Sequence, residues 1–295
     1  MSHQNWQAIA THISETTGQA FQLRSRHSIG GGCINSTFRI EGSGQSYFVK
    51  LNSPQYLDMF ETEAAGLSEL GQAAALKVPE PLCWGSTQEQ AYLVMEYIPL
   101  GGETNSVELG QQLAALHQVT QPQFGWTRDN YIGSTPQVNS LENDWITFWQ
   151  RHRLGFQLKL AAQKGYRSKR LQNQGTRLVA DVGEFFGNYQ PQASLLHGDL
   201  WSGNYAVAVD GQAVIYDPAI YYGDREADIA MTELFGGFPR RFYDAYQDTW
   251  KLDSGYSTRK ILYNLYHILN HLNLFGGGYL SQAESMIEML LSELR

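Results

Sequence analysis

The chain has 295 residues, 42% apolar and 17% charged, with a formal net charge of −8. That length exceeds the usual size of one hydrophobic core, so two lobes are expected; the acidic balance excludes sequence-independent nucleic-acid binding, which needs a basic face to displace counterions. With only Cys33 and Cys83, no apolar run near the roughly 20 residues of a bilayer span and no leader-like N-terminus, the expectation is a cytoplasmic, reduced protein without a membrane partner.

In chain order, Trp6, Ile9 and Ile13 share one face of a helix over 4–16. Strand-like runs follow at 20–29, 34–41 and 45–51, broken by Gly30-Gly31-Gly32 and Glu41-Gly42-Ser43-Gly44. The pattern predicts a helix over 56–71 ending at Gly71 as a C-cap, then a loop from Val78-Pro79-Glu80-Pro81, then a buried strand from Ala91 to Ile98. Pro99-Leu100-Gly101-Gly102 is the clearest break. Beyond it, Ser106 is placed to cap a helix whose Leu109, Leu113 and Leu116 repeat at helical spacing. Further helices are predicted over 142–165, 167–186, 225–235, 239–249, 257–274 and 281–294. Among them, Asp210-Gly211 between apolar runs signals a two-residue β-hairpin. The picture is α+β: a small β-rich N-lobe over 1–98 and a larger, mainly helical C-lobe over 99–295.

The most specific feature is His197-Gly198-Asp199-Leu200-Trp201-Ser202-Gly203-Asn204, followed after the hairpin by Asp217. Phosphoryl transfer to a hydroxyl needs a base that positions the hydroxyl and takes its proton, and oxygen ligands for the magnesium on the phosphates. Asp199 fits the base, Asn204 one metal ligand, and Asp217 the second, with the spacing of a kinase catalytic loop. A helix-capping aspartate in a glycine-rich turn is the plainer alternative. Gly198 stands where protein kinases carry arginine, and Asp217-Pro218-Ala219 replaces Asp-Phe-Gly. Those departures resemble the aminoglycoside and choline kinase branch, which phosphorylates small molecules, within the protein-kinase-like two-lobed fold.

Upstream, Gly30, Gly31 and Gly32 lie between two strands, where a loop covering ATP phosphates would lie; a plain hairpin turn explains them equally well. Lys50 ends a strand and matches the lysine that pairs with the α- and β-phosphates. Glu63 on the next helix is its expected partner, with Glu61 the rival facing another direction. Met95, Glu96, Tyr97 and Ile98 precede the break, where backbone groups would bind adenine; a core strand end is the alternative.

Taken together, Gly30-Gly31-Gly32-Cys33-Ile34, Phe60-Glu61-Thr62-Glu63-Ala64, Leu196 through Asn204, Asp217-Pro218-Ala219, Phe235-Gly236-Gly237-Phe238 and the Asn/His-rich run Leu269 to Gly276 resemble the fructosamine/ketosamine-3-kinases, as does Asn143-Asp144-Trp145 with Arg151 and Arg153. The likeness covers nearly the whole chain. It implies transfer of the ATP γ-phosphate, with Mg2+, to the 3-hydroxyl of ketosamines, as small molecules or as glycated proteins, leading to deglycation. Bacterial and plant-type members of the family are linked to ribulosamines and erythrulosamines more than to fructosamines. Under it Asp199 is the base, Asn204 and Asp217 are metal ligands, and Lys50 with Glu63 is the phosphate-side ion pair.

Several residues keep two readings. Trp201 offers an apolar face to the sugar–amine linkage or simply packs. His267, Asn270, His271 and Asn273 hydrogen-bond a polyol or belong to the core; no third ligand completes a metal site. Asp228, beside Asp224 in an acidic helix start, braces the catalytic loop or serves the helix dipole. Cys33, a thiol among glycines, is a redox candidate or inert packing. The basic stretch 151–177, with no acid between Asp144 and Asp181, steers an anionic partner or is a solvated face. The competing functions are another small-molecule kinase of the same branch and a nucleotide-binding module without turnover. The sequence leaves monomer and homodimer equally open.

Overall fold

A computed structural model describes residues 3–30, 34–103 and 105–294. The chain divides into two compact units: Met1–Thr104 with Ala206–Asp217, and Asn105–Tyr205 with Pro218–Arg295.

The first unit opens with α1 (His3–Thr17), then β1 (Leu23–Ile29), β2 (Ser36–Gly42), β3 (Gln45–Asn52), α2 (Leu57–Gln72), β4 (Pro81–Ser86) and β5 (Ala91–Glu96). The strands form one antiparallel sheet in the order β1-β2-β3-β5-β4. Alternation along β3 sorts its side chains between two faces. Val49 and Leu51 join Trp6, Ile9, Ile13 and Ile40 in an apolar cluster, which puts Lys50 on the other face. The α2 helix runs past Gly71 and ends at Gln72, with Ala73 as its C-cap and the left-handed residue at Ala74. Pro81 starts β4 where a loop was expected; β4 pairs with β5 at a register shift between Pro81 and Cys83, the irregularity an edge strand tolerates.

The hairpin of β10 (Tyr205–Val207) and β11 (Ala213–Ile215) follows much later in the chain, yet all but its first residue belongs to the first unit. Backbone bonding explains this: Gly101 N donates to Val207 O at 2.9 Å, Val209 N to Pro99 O at 3.0 Å and Ile215 N to Lys77 O at 3.0 Å. Its turn is longer than the two residues expected. Ala208 N bonds Gln212 O and Gly211 N bonds Ala208 O, both at 2.9 Å, with Gly211 at φ +85°, which is a three-residue loop closed by a left-handed glycine.

In the second unit, α3 (Ser106–His117) is capped by Asn105, whose side chain accepts from Glu108 N, so Ser106 is the first helical residue and not the cap. Short strands β6 (Thr120–Gln121), β9 (Ala193–Leu196) and β12 (Tyr221–Gly223) make an antiparallel sheet ordered β12-β9-β6. β7 (Asn130–Ile132) and β8 (Thr135–Gln137) form a hairpin. α4 (Trp145–Phe148) continues through a π-helical stretch, Trp149–Leu154, into α5 (Gly155–Gln163); a second such stretch, Arg170–Gln174, leads into α6 (Gly175–Ala180). Four helices complete the unit: α7 (Glu226–Leu234), α8 (Arg240–Thr249), α9 (Tyr256–Phe275) and α10 (Tyr279–Glu293). α9 is buried nearly all round because α5, α7 and α10 pack on it, which is why its sequence carries so many apolar residues among its Asn and His. Among the described residues, no helix is long and apolar enough to cross a membrane.

Candidate active site

In the first unit, Lys50 is the centre of a charge cluster. Its ammonium is 4% exposed, donates to Glu63 Oε1 at 2.5 Å, and also donates to Asp217 Oδ1. Burial alone would lower the lysine pKa; the Asp217 and Glu63 carboxylates outweigh that and raise it, so Lys50 stays charged. It is Glu63 of α2, not Glu61, that reaches Lys50. Asp217 sits just past β11 with φ +57°, a left-handed conformation that costs a non-glycine residue on the order of 1 kcal/mol. Its side chain is 47% exposed despite the lysine contact, leaving a carboxylate surface for a ligand.

Met95 is buried at the end of β5, and Glu96 N donates to Glu80 O at 2.8 Å. The strand thus uses the Glu96 N–H internally. Ile98 packs with Ala208, Val214 and Tyr216 in an apolar patch, while the Arg39 guanidinium lies over the Tyr97 ring at 4.4 Å. Of the glycine-rich loop, Gly30 is exposed between β1 and β2. Gly31, Gly32 and the redox candidate Cys33 lie outside the described residues.

In the second unit, Asp199 follows β9 on a loop whose shape is set by backbone bonds. Ala219 N donates to His197 O at 2.9 Å, and Gly198 sits at φ +82°. A Cβ at Gly198 would stand 2.0 Å from Ala219 O, so the residue that replaces the protein-kinase arginine is required by both conformation and space. Asn204 Nδ2 donates to Asp199 O at 2.9 Å and to its Oδ2 at 3.3 Å, which turns the amide oxygen away from the carboxylate. The Trp201 indole folds over Gly203, where a Cβ would meet it at 2.3 Å.

Asp228 on α7 accepts from His197 N at 2.7 Å and Gly198 N at 2.8 Å. Burial opposes its charge, but the bond from His117, the nearby His197 and the Gly198 N–H hold it below the usual carboxylate range. His117 itself was not singled out from sequence. It is fully buried, with Nε2 3.2 Å from Asp228 Oδ2 and Nδ1 2.7 Å from Tyr246 OH. Only the apolar spacing of α3 marks its position in the sequence, and nothing there links it to Asp228.

The Asn/His run of α9 divides by hydrogen-bond partners. His267 is 4% exposed, and its Nδ1 is 3.9 Å from Asp199 Oδ1 without a hydrogen-bond partner. Burial, helped by His271, pushes its pKa down to about 3, so Asp199 faces a neutral imidazole. His271 Nδ1 donates to His267 O at 2.8 Å. Asn270 instead accepts from Gln157 at 3.3 Å and donates to Ile132 O at 3.4 Å, and Asn273 donates to Gln157 O at 3.0 Å. These two amides pack α9 onto its neighbours.

Most of the basic stretch is also engaged within the chain. Arg151 pairs with Glu142, Arg170 with Glu288 and Arg177 with Asp181, and Lys164 donates to Asn273 O. Arg153 is buried, bonded to Val138 O and Asn139 and stacked on Tyr221 at 4.0 Å.

With this geometry in place, the likeness to known proteins is specific. A family model described as fructosamine kinase matches residues 5–293. A Synechocystis protein named as a probable ketoamine kinase is 49% identical over 97% of each chain. A chloroplastic protein-ribulosamine 3-kinase of Arabidopsis thaliana is 43% identical, covering 95% of this chain and 86% of that protein. Among solved structures, a candidate fructosamine-3-kinase from Haemophilus somnus superposes with a TM-score of 0.88 at 29% identity over 97% of each chain. An aminoglycoside phosphotransferase solved with ADP and hygromycin B, at 14% identity and a TM-score of 0.62, covers 97% of this chain and 98% of its own, and shares the kinase-like fold alone.

Proposed function

The chain belongs to the fructosamine kinase family, and from that premise we propose that it is an ATP-dependent ketoamine 3-kinase. The observation that carries the reading is the Asp199 carboxylate, held by a loop whose backbone N–H groups are clamped by Asp228, with Asn204 beside it. A carboxylate so fixed can receive a hydroxyl and take its proton with little reorganisation.

As the 3-hydroxyl oxygen forms its bond to the γ-phosphorus, its proton passes to Asp199. The bond from that phosphorus to the β–γ bridging oxygen breaks, and ADP departs with the electron pair. Lys50, kept charged and oriented by Glu63, pairs with the α- and β-phosphates. His267, neutral and with Nδ1 unpartnered beside Asp199, offers a hydrogen bond to the sugar hydroxyls, and Trp201 offers an apolar face to the sugar–amine linkage. Asp217 in the first unit and Asn204 in the second each carry an oxygen of the type that would hold magnesium, which takes one or two protein oxygens alongside phosphates; among the described residues no cluster of three acidic, His or Cys groups forms a protein-only cage. Magnesium, when bound, neutralises charge developing on the phosphates. The product is a ketosamine 3-phosphate, which eliminates phosphate and frees the amine.

The plant relative named protein-ribulosamine 3-kinase, 43% identical, supports a ribulosamine as acceptor. A coupled assay for ADP release with ribuloselysine, fructoselysine, choline and kanamycin tests the reading. Turnover should be fastest with ribuloselysine. Turnover of choline or kanamycin in its place would assign the chain to another small-molecule kinase, and nucleotide binding without any turnover would make it a regulatory module.

A further inference from the structure

One aromatic row is not used by the phosphoryl chemistry. It begins at Trp201, two residues past Asp199, whose ring centroid lies 6.0 Å from that of Phe235. Phe235, on the glycine loop after α7, lies 5.0 Å from His271. His271 in turn is 5.5 Å from Phe275 and 5.2 Å from Tyr279. The row therefore runs from Trp201 to the C-terminal end of α9 in steps of one ring each, and it ends on Phe275, which is 55% exposed. One exposed ring is ordinary on a surface, but every ring of this row is at least partly accessible, which makes it a contiguous apolar surface that a ligand can cover.

Two features of the row specify what covers it. It passes His271, one helical turn after His267, whose Nδ1 lies 3.9 Å from Asp199 Oδ1, so the row adjoins the point from which a substrate with its sugar hydroxyl on Asp199 must direct the rest of its length. In addition, the carbonyl of His267 can only accept, so His271 Nδ1 carries the proton of that bond. Burial holds His271 below the usual histidine pKa, so its Nε2 is a lone-pair acceptor at neutral pH. Ring faces and a neutral imidazole acceptor favour a cationic N–H group flanked by carbon, and repel an anion.

We propose that Trp201, Phe235, His271, Phe275 and Tyr279 form the subsite for the amine half of the substrate, taking a secondary alkylammonium and the carbon chain beyond it. This rests on the ketoamine reading and deepens it. The sugar end is handled by polar groups at Asp199, while discrimination among amines is made by the ring row. A lysine side chain, with four methylenes beyond the cation, matches that chemistry; ammonia or a short hydroxyalkyl amine does not.

The test compares two acceptors that differ only in the amine: 1-amino-1-deoxyribulose and its N-hexyl derivative. Its readout is the ratio of kcat/KM, N-hexyl over bare amine, which a merely structural defect would not move. The wild type should favour the N-hexyl substrate. One ring face against a cation or chain is worth about two- to fivefold in affinity, so Phe235→Leu should cut the ratio by about fivefold and Phe275→Ala by about threefold, through KM. Phe275 is exposed, so its variant tests the idea even where Phe235→Leu folds poorly. A wild-type ratio near unity, or a ratio unchanged in both variants, overturns the subsite while leaving the kinase reading intact. Phosphorylation of neither substrate by the wild type overturns the ketoamine reading itself.

Discussion

Two regions of this molecule hold a functional carboxylate by opposite means. Around Lys50 the groups are charged and hold one another: a buried ammonium draws Glu63 and Asp217 together, and the cluster is stable because each charge has a partner. Around Asp199 two neighbouring side chains, Asn204 and His267, are uncharged. The carboxylate is placed by its own backbone, which Asp228 clamps through two N–H groups, and its neighbours are an amide and an imidazole kept uncharged by burial. The difference fits the tasks proposed for the two regions. Phosphates are anions whose binding needs a fixed positive charge, whereas a base needs freedom to accept a proton without a cation competing for it.

That contrast can be broken most sharply at the base. Asp199→Asn should lower kcat by about a thousandfold or more while leaving ATP affinity within about threefold, measured by steady-state kinetics and nucleotide titration. Near wild-type turnover would remove Asp199 from its role. The next effect should fall on the other side of the comparison. Lys50→Met leaves Glu63 and Asp217 facing each other without their cation, and should weaken nucleotide binding by roughly 10- to 100-fold through the loss of charge-assisted bonds. The KM for the ketosamine should stay close to the wild-type value; a change confined to the ketosamine would reverse the assignment of the two regions.

The smallest effect reads the neutral surroundings of Asp199 through stability. His117, His267 and His271 all have pKa values lowered by burial, His267 to about 3. Below the unfolded histidine value of about 6.5, the unfolded chain binds protons that the folded chain does not. Stability from this source is thus fully present above that pH and is lost as pH falls. For His267 alone, the loss between neutral pH and pH 5 should be about 2 kcal/mol, seen as a lower denaturation midpoint. His267→Asn should make the midpoint less sensitive over this range; an unchanged pH dependence would show that the imidazole is not buried as described.

Much of the site was legible before any coordinates. Asp199 and Asn204 lie on one short loop, so local spacing alone conveys their relation. Helix geometry separates Glu63 from Glu61, and the structure shows that Glu63 is the one that meets Lys50. The ends of elements were less legible, because they depend on single hydrogen bonds: Asn105 rather than Ser106 caps α3, and α2 passes through Gly71. Strands β9 and β12 went unread because each is only a few residues long and buried by a neighbour remote in sequence.

What the sequence conveyed by itself was therefore residue type and local order: a kinase-like loop carrying Asp199 and Asn204, the strand lysine and its helix glutamate, together with the β-rich and helical halves. The tertiary structure alone decided which polar residues were occupied by packing. It assigned Asn270 to Gln157 and Ile132, left His267 unpartnered beside Asp199, and set His117 against Asp228. It also showed that Gly198 is required by the Ala219 carbonyl. The physical reason is the same in each case. Residue type and spacing encode what a side chain can do, but whether its donors and acceptors are already satisfied depends on groups that folding brings from far along the chain.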